Sequence, residues 1–67
     1  MFPNLEAEQA RNNHSNTFVA QKLSITRQSY EQKKRNGNFK LKEIETLMAL
    51  YSTRFDYLFA KEAKIPA

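Results

Sequence analysis

The residues of this chain best suited to chemistry are basic, and most of them lie in one third of the sequence. From Ala20 to Lys42 the chain has seven lysines and arginines against a single acid, Glu31, whereas the rest of the chain carries an excess of acids. A segregated basic segment attracts polyanions because binding releases their counterions, and nucleic acid is the commonest such partner. The alternative is a solvated, purely structural face. The segment therefore indicates either nucleic-acid binding or a charged outer surface.

Residues for catalysis or metal binding are scarce. The chain has no cysteine, and its one histidine, His14, has no second histidine or carboxylate four residues away. Glu6 and Glu8, like Glu43 and Glu45, are two positions apart and point to different faces of a helix. With no nucleophile, base or phosphate loop, we expect no enzyme, no metal site and no cofactor. His14 is interpreted as a half-buried structural residue, with a pH switch or a metal ligand as alternatives.

The length and composition predict one small soluble domain. With 67 residues, 40% of them hydrophobic, and a net charge of +4, the chain has room for a single core and no second module. We expect a folded domain over 1–60 and a short tail over 61–67. No apolar run approaches the roughly 18 residues that span a bilayer, and the first residues lack the features of a signal peptide. A cytoplasmic protein that does not enter membranes is the prediction.

The periodicity and the turn signals predict an all-α fold. Pro3 suits the first turn of a helix, Ser15 or Asn16 can cap a second, Thr26 can cap a third, and Gly37 lies in the strongest turn signal. The predicted helices span 3–12, 16–23, 27–34, 41–51 and 55–59. The fourth carries one apolar stripe formed by Leu41, Ile44, Leu47, Met48 and Tyr51.

Residues 15–32, SNTFVAQKLSITRQSYEQ, resemble the central part of the phage Cro and repressor family, also called the xenobiotic response element family. Residues 55–59, FDYLF, are similar to the fifth helix of that family. The resemblance implies a compact five-helix bundle with a central helix-turn-helix, the lambda-repressor-like DNA-binding domain. In such a domain the second helix of the motif enters the major groove.

The resemblance also implies roles for particular residues. Ala20 would allow helices 2 and 3 to cross closely, and Tyr30 would pack inward. The opposite face of helix 3 would then reach the bases, where glutamine suits adenine and arginine suits guanine. The expected DNA contacts, to bases and to phosphates, are Asn16, Arg27, Gln28, Glu31, Gln32, Lys33, Lys34, Arg35 and Lys40.

Four positions depart from the family pattern, Asn16, Ser24, Lys33 and Arg54, and two of these departures predict local structure. Ser24 replaces the usual glycine of the turn, which predicts strain if the backbone there needs a positive φ. Arg54 replaces the serine that usually caps the fifth helix, and Thr53 is the expected substitute.

Two functions follow as hypotheses. The preferred one is a small phage-type transcriptional regulator of a genetic switch, acting in the cytoplasm of a bacterial host on double-stranded operator DNA, as a monomer or a weak homodimer. The alternative is an antirepressor that uses the same fold to bind a partner repressor. Phe18 is the candidate anchor for that partner, unless it folds against helix 1.

Overall fold

Five α-helices make up most of the described chain. The computed structural model describes residues 2–62, and no strand occurs in that part of the chain. The helices are α1 (Pro3–Arg11), α2 (Asn16–Lys22), α3 (Arg27–Asn36), α4 (Leu41–Tyr51) and α5 (Phe55–Leu58). The prediction of an all-helical chain is confirmed for these residues. Of the predicted tail, residues 63–67 lie outside the described part.

Side-chain caps fix where α2 and α3 begin. The Ser15 hydroxyl accepts a hydrogen bond from the Phe18 backbone N–H at 3.0 Å, and the Thr26 hydroxyl accepts one from the Ser29 backbone N–H at 3.1 Å. Each bond satisfies an amide that has no partner within its own helix and contributes about 1 kcal/mol. The predicted Thr26 cap is confirmed. Of the two candidates at α2, the structure selects Ser15.

The turn between α2 and α3 contains a strained serine. Ser24 has a φ of 59°, in the left-handed region, as expected at the position where the resembled family has glycine. A residue with a Cβ costs about 1 kcal/mol there. The Ile25 backbone N–H donates to the Ala20 carbonyl at 3.0 Å, which closes the turn. The short connection brings α3 back against α2.

Helix α3 ends two residues later than predicted. It continues through Asn36, and Gly37 follows with a φ of 78° and an N–H that donates to the Lys33 carbonyl at 2.7 Å. Glycine adopts this left-handed conformation without a steric penalty, so it closes a helix from the position after the last helical residue. The turn signal therefore ends α3, as the sequence predicted, and the helix continues up to the residue before the glycine.

The expected cap of α5 is wrong. The Thr53 hydroxyl is buried and has no hydrogen-bond partner, and no side-chain cap bond comes from Arg54, the residue that precedes α5. A cap that the sequence analysis missed occurs at α4, where the Glu43 carboxylate accepts a hydrogen bond from the Lys40 backbone N–H at 2.8 Å. Glutamate at the third helical position reaches back to the first free amide, as in a capping box.

Each helix contributes to one buried cluster. Ala20 is 1% exposed, so α2 and α3 approach each other closely, and Tyr30 is fully buried, which confirms its inward orientation. The predicted stripe of α4 holds except at its start, because Leu41, the first helical residue, is 70% exposed. The cluster consists of Phe2, Leu5, Val19, Ala20, Leu23, Tyr30, Leu47, Tyr51 and Leu58.

Candidate functional site

The outer face of α3 presents polar and charged side chains in one row. Steps of three and four residues place the members of this row on the same side of the helix, opposite the buried Tyr30. Four members are exposed and Glu31 is half-buried. We define the outer face of α3 as Arg27, Gln28, Glu31, Gln32 and Arg35. Over this length the helix rises about 12 Å, which suits contact with several consecutive groups of a partner.

Glu31 ties this face to α2. Its carboxylate accepts hydrogen bonds from the Asn16 side-chain amide at 2.9 Å and from the Arg27 guanidinium at 2.8 Å. The hydrogen bond from Asn16 is the largest cause that holds the pKa of Glu31 below its usual value, and the bond from Arg27 is the second. The ionised carboxylate thus orients the Arg27 side chain along the helix surface and compensates its charge.

Removal of the Asn16 amide should raise the pKa of Glu31. Carboxyl titration by ¹³C NMR should place this pKa below 4.5 in the parent protein and nearer to 4.5 in Asn16→Ala, with a smaller rise in Arg27→Gln. Because the folded pKa is below the unfolded value, the linked stability is complete above about pH 4.5 and is lost as the pH falls through the folded pKa. An unchanged titration in a folded Asn16→Ala protein would contradict the assignment.

Lys34, an expected phosphate contact, lies in the interior. Its side chain is 7% exposed, and its ammonium lies 2.9 Å from a Glu6 carboxylate oxygen. The same ammonium donates to the Asn16 side-chain carbonyl at 2.9 Å and lies 4.8 Å from the centre of the Tyr30 ring. An ammonium enclosed by a carboxylate, an amide and an aromatic face is unavailable to a phosphate outside. The expectation that Lys34 contacts DNA does not fit this position.

Gln9 of α1 completes a polar network that the sequence analysis missed. Its side-chain N–H donates to the Asn16 carbonyl oxygen at 2.8 Å, and its own carbonyl accepts from the buried Tyr30 hydroxyl at 2.8 Å. Asn16 therefore has both carbonyl lone pairs engaged, by Gln9 and Lys34, and one remaining amide N–H for an outside partner. The available signal was that Glu6 and Gln9, three residues apart, share one face of α1.

Ion pairs formed in the tertiary structure reduce the net charge of the basic segment from Ala20 to Lys42. Glu6 neutralises Lys34, and Glu43 lies 3.3 Å from the Lys33 ammonium, although both acids lie outside the segment in sequence. Arg27 pairs with Glu31 within it. Among residues 2–62, no carboxylate lies within 4.0 Å of the charged groups of the other four basic residues. These four are exposed: Lys22, Arg35, Lys40 and Lys42.

Phe18 of α2 and His14, which precedes α2, form a half-buried pair of rings. Their ring centres are 4.3 Å apart, and the Lys22 ammonium lies 5.2 Å from the Phe18 ring centre. His14 Nδ1 is 3.0 Å from the Tyr51 hydroxyl, which links the histidine to α4. The expected half-burial of His14 is confirmed. Phe18 packs partly on the core and leaves part of its ring at the surface.

Comparisons with protein-family models, with curated proteins and with solved structures each found no match to this chain. Between residues 2 and 62, no helix has both the length and the apolar content needed to cross a bilayer.

Proposed function

We propose that the protein is a small DNA-binding regulator of the phage repressor type that places α3 in the major groove. The observation that carries the proposal is the outer face of α3, where two arginines and two glutamines are exposed on a helix that packs against α2 and buries Tyr30 on its opposite side. These side chains match the hydrogen-bonding edges of guanine and adenine. The resemblance of residues 15–32 to helix-turn-helix regulators supports the same orientation.

Glu31 limits how this face can meet DNA. A carboxylate close to phosphates would be repelled, so Glu31 must lie over base edges, where it can accept a hydrogen bond from a cytosine amino group. Its ion pair with Arg27 must loosen or be shared when Arg27 reaches a guanine. Sequences that lack a suitable cytosine or guanine at this point would leave a charge unpaired, which gives discrimination against them.

The exposed cations around α3 are the candidates for contacts with DNA phosphates. Lys40 and Lys42 lie at the start of α4, and Arg35 lies near the end of α3; none of them pairs with a carboxylate within residues 2–62. Each phosphate neutralised steepens the fall of log K with log salt by about 0.9. Lys33, which pairs with Glu43, contributes less than the sequence suggests.

Substitution of a base-reading residue and substitution of a phosphate-contacting residue should have different effects on DNA binding. We expect Gln28→Ala to weaken binding to a duplex selected from a random library by about 1 to 3 kcal/mol, roughly 5- to 150-fold, because base-edge hydrogen bonds are lost. Lys40→Gln should weaken selected and random duplexes alike and reduce the salt slope by about 1. Fluorescence anisotropy at several salt concentrations measures both effects.

Either of two results would defeat this proposal. Equal losses on selected and random duplexes for Gln28→Ala would remove the assignment of base readout to α3. Absence of any salt-dependent binding to duplex DNA by the folded parent protein would remove DNA as the partner.

An antirepressor role is the second candidate, and the partly exposed Phe18 ring favours it. An aromatic anchor at a protein interface contributes about 2 kcal/mol or more, roughly thirtyfold in affinity. Under this candidate, Phe18→Ser should keep its helical circular dichroism spectrum yet lose binding to a partner repressor in calorimetry. Normal binding by a folded Phe18→Ser protein would show that Phe18 is no anchor, and tight operator binding by the parent alone would favour the regulator.

A further inference from the structure

A cavity of about 380 Å³ opens beside the end of α3, and Phe18 does not line it. Its lining includes four phenylalanines and two basic residues, besides Asn36, Gly37 and Ile44. The phenylalanines are Phe2, Phe39, Phe55 and Phe59, and the basic residues are Arg35 and Lys61. Volumes of about 300 to 1,000 Å³ are typical of small-molecule sites, which are mainly apolar with a few polar groups that fix orientation.

The aromatic wall is held in place by its own packing. The ring of Phe59 contacts three others, with centre-to-centre distances of 5.3 Å to Phe2, 5.5 Å to Phe39 and 5.2 Å to Phe55. The first two contacts are edge-to-face and the third is stacked, both favourable geometries. Phe55 nevertheless remains 52% exposed. The cavity is therefore a preformed apolar surface with one uncovered ring.

The charges at this cavity are all positive. Arg35 and Lys61 line it, and no aspartate or glutamate does. Neither cation lies within 4.0 Å of a carboxylate in the described part of the chain. An arginine without an internal partner can bind a carboxylate through two parallel hydrogen bonds, and a nearby lysine adds a second positive charge. A cationic ligand would meet repulsion at the same place.

We infer that this cavity binds a small apolar carboxylate, with the apolar body against the phenylalanine rings and the carboxylate between Arg35 and Lys61. The volume sets the size of the ligand, the rings set its apolar character, and the two cations set the sign of its charge. The inference shares Arg35 with the proposed function but goes beyond it, and its test is separate, because ligand binding can be measured with no DNA present.

Three probes with one body and different head groups test the inference: 4-phenylbutyrate, 4-phenyl-1-butanol and 4-phenylbutylamine. Titration of the ¹⁵N-labelled full chain should show 4-phenylbutyrate shifting the amides of Gly37, Phe39 and Phe59, with a Kd on the order of 1 mM. The alcohol should bind about tenfold more weakly, and the amine more weakly still, because only the carboxylate pairs with the cations.

Variants locate the two parts of the site. Arg35→Gln should weaken 4-phenylbutyrate about tenfold and leave the alcohol unchanged, whereas Phe55→Ser should weaken both probes. Lys42→Gln, which removes an exposed cation outside the cavity, is the matched control and should change neither. Equal affinity of the three probes, or shifts confined to other residues, would overturn the inference. Concentration-dependent shifts of the same amides without any probe would overturn it too, since a second copy of the chain would then cover the cavity.

Discussion

Truncation of Tyr30 to alanine should remove a major part of the free energy of unfolding of the protein. The Tyr30 side chain is fully buried, donates a hydrogen bond to Gln9 of α1 and packs against the ring of Phe39. Removing a large buried ring costs about 3 to 5 kcal/mol, because apolar contacts are lost and a cavity remains. A chain of this length has a total stability on the order of 3 to 10 kcal/mol, so the loss is a major part of it. Urea denaturation followed by circular dichroism measures the effect.

The variant Tyr30→Phe distinguishes the contribution of the ring to stability from that of the hydroxyl. This variant keeps the packing and removes the donor to the Gln9 carbonyl, which retains a contact with Lys34 at 3.3 Å. We expect a loss of about 1 kcal/mol, typical of one hydrogen bond. Burial raises the pKa of Tyr30, so the parent hydroxyl stays a donor at neutral pH. A Tyr30→Ala protein as stable as Tyr30→Phe would contradict the burial of the ring.

Lys34→Met should destabilise the fold by about 2 to 3 kcal/mol and leave the salt dependence of DNA binding unchanged. Methionine keeps the apolar stem and removes the ammonium that pairs with Glu6 and bonds Asn16. Breaking a buried ion pair from one side is costly, and the 38% exposure of the Glu6 side chain moderates the cost because water can partly solvate its carboxylate. Chemical denaturation gives the stability, and anisotropy below the melting temperature gives the salt slope.

Two comparisons make the Lys34 result specific. Lys42→Met removes an exposed lysine and should change stability by less than about 0.5 kcal/mol. Combining Lys34→Met with Glu6→Gln should recover part of the loss, because the second change removes the unpaired carboxylate. A salt slope reduced by about 1 in Lys34→Met alone, with unchanged stability, would mean that this lysine meets a phosphate after all.

Local features of the sequence were sufficient to predict the helices. Thr26 caps α3, Gly37 closes it, and the positive φ of Ser24 follows from its place in a tight turn. These features act over a few residues, where hydrogen bonding and steric limits on the backbone decide the conformation. The family resemblance predicted that Tyr30 turns inward, and the helical period then placed Arg27, Gln28 and Gln32 on the outside.

Only the tertiary structure decided which charges remain available. In the sequence, Lys34 belongs to a run of basic residues that are expected to be exposed. In the structure, Glu6 and Gln9 of α1 contact its ammonium, and the side chain is buried. Asn16 and Glu31 join α2 to α3 in the same way. Such pairings depend on how helices distant in sequence pack together, which no local pattern specifies. For this reason the sequence alone determined the helices and the outer face of α3, while the packing of α1 and α4 determined which lysines can reach a partner.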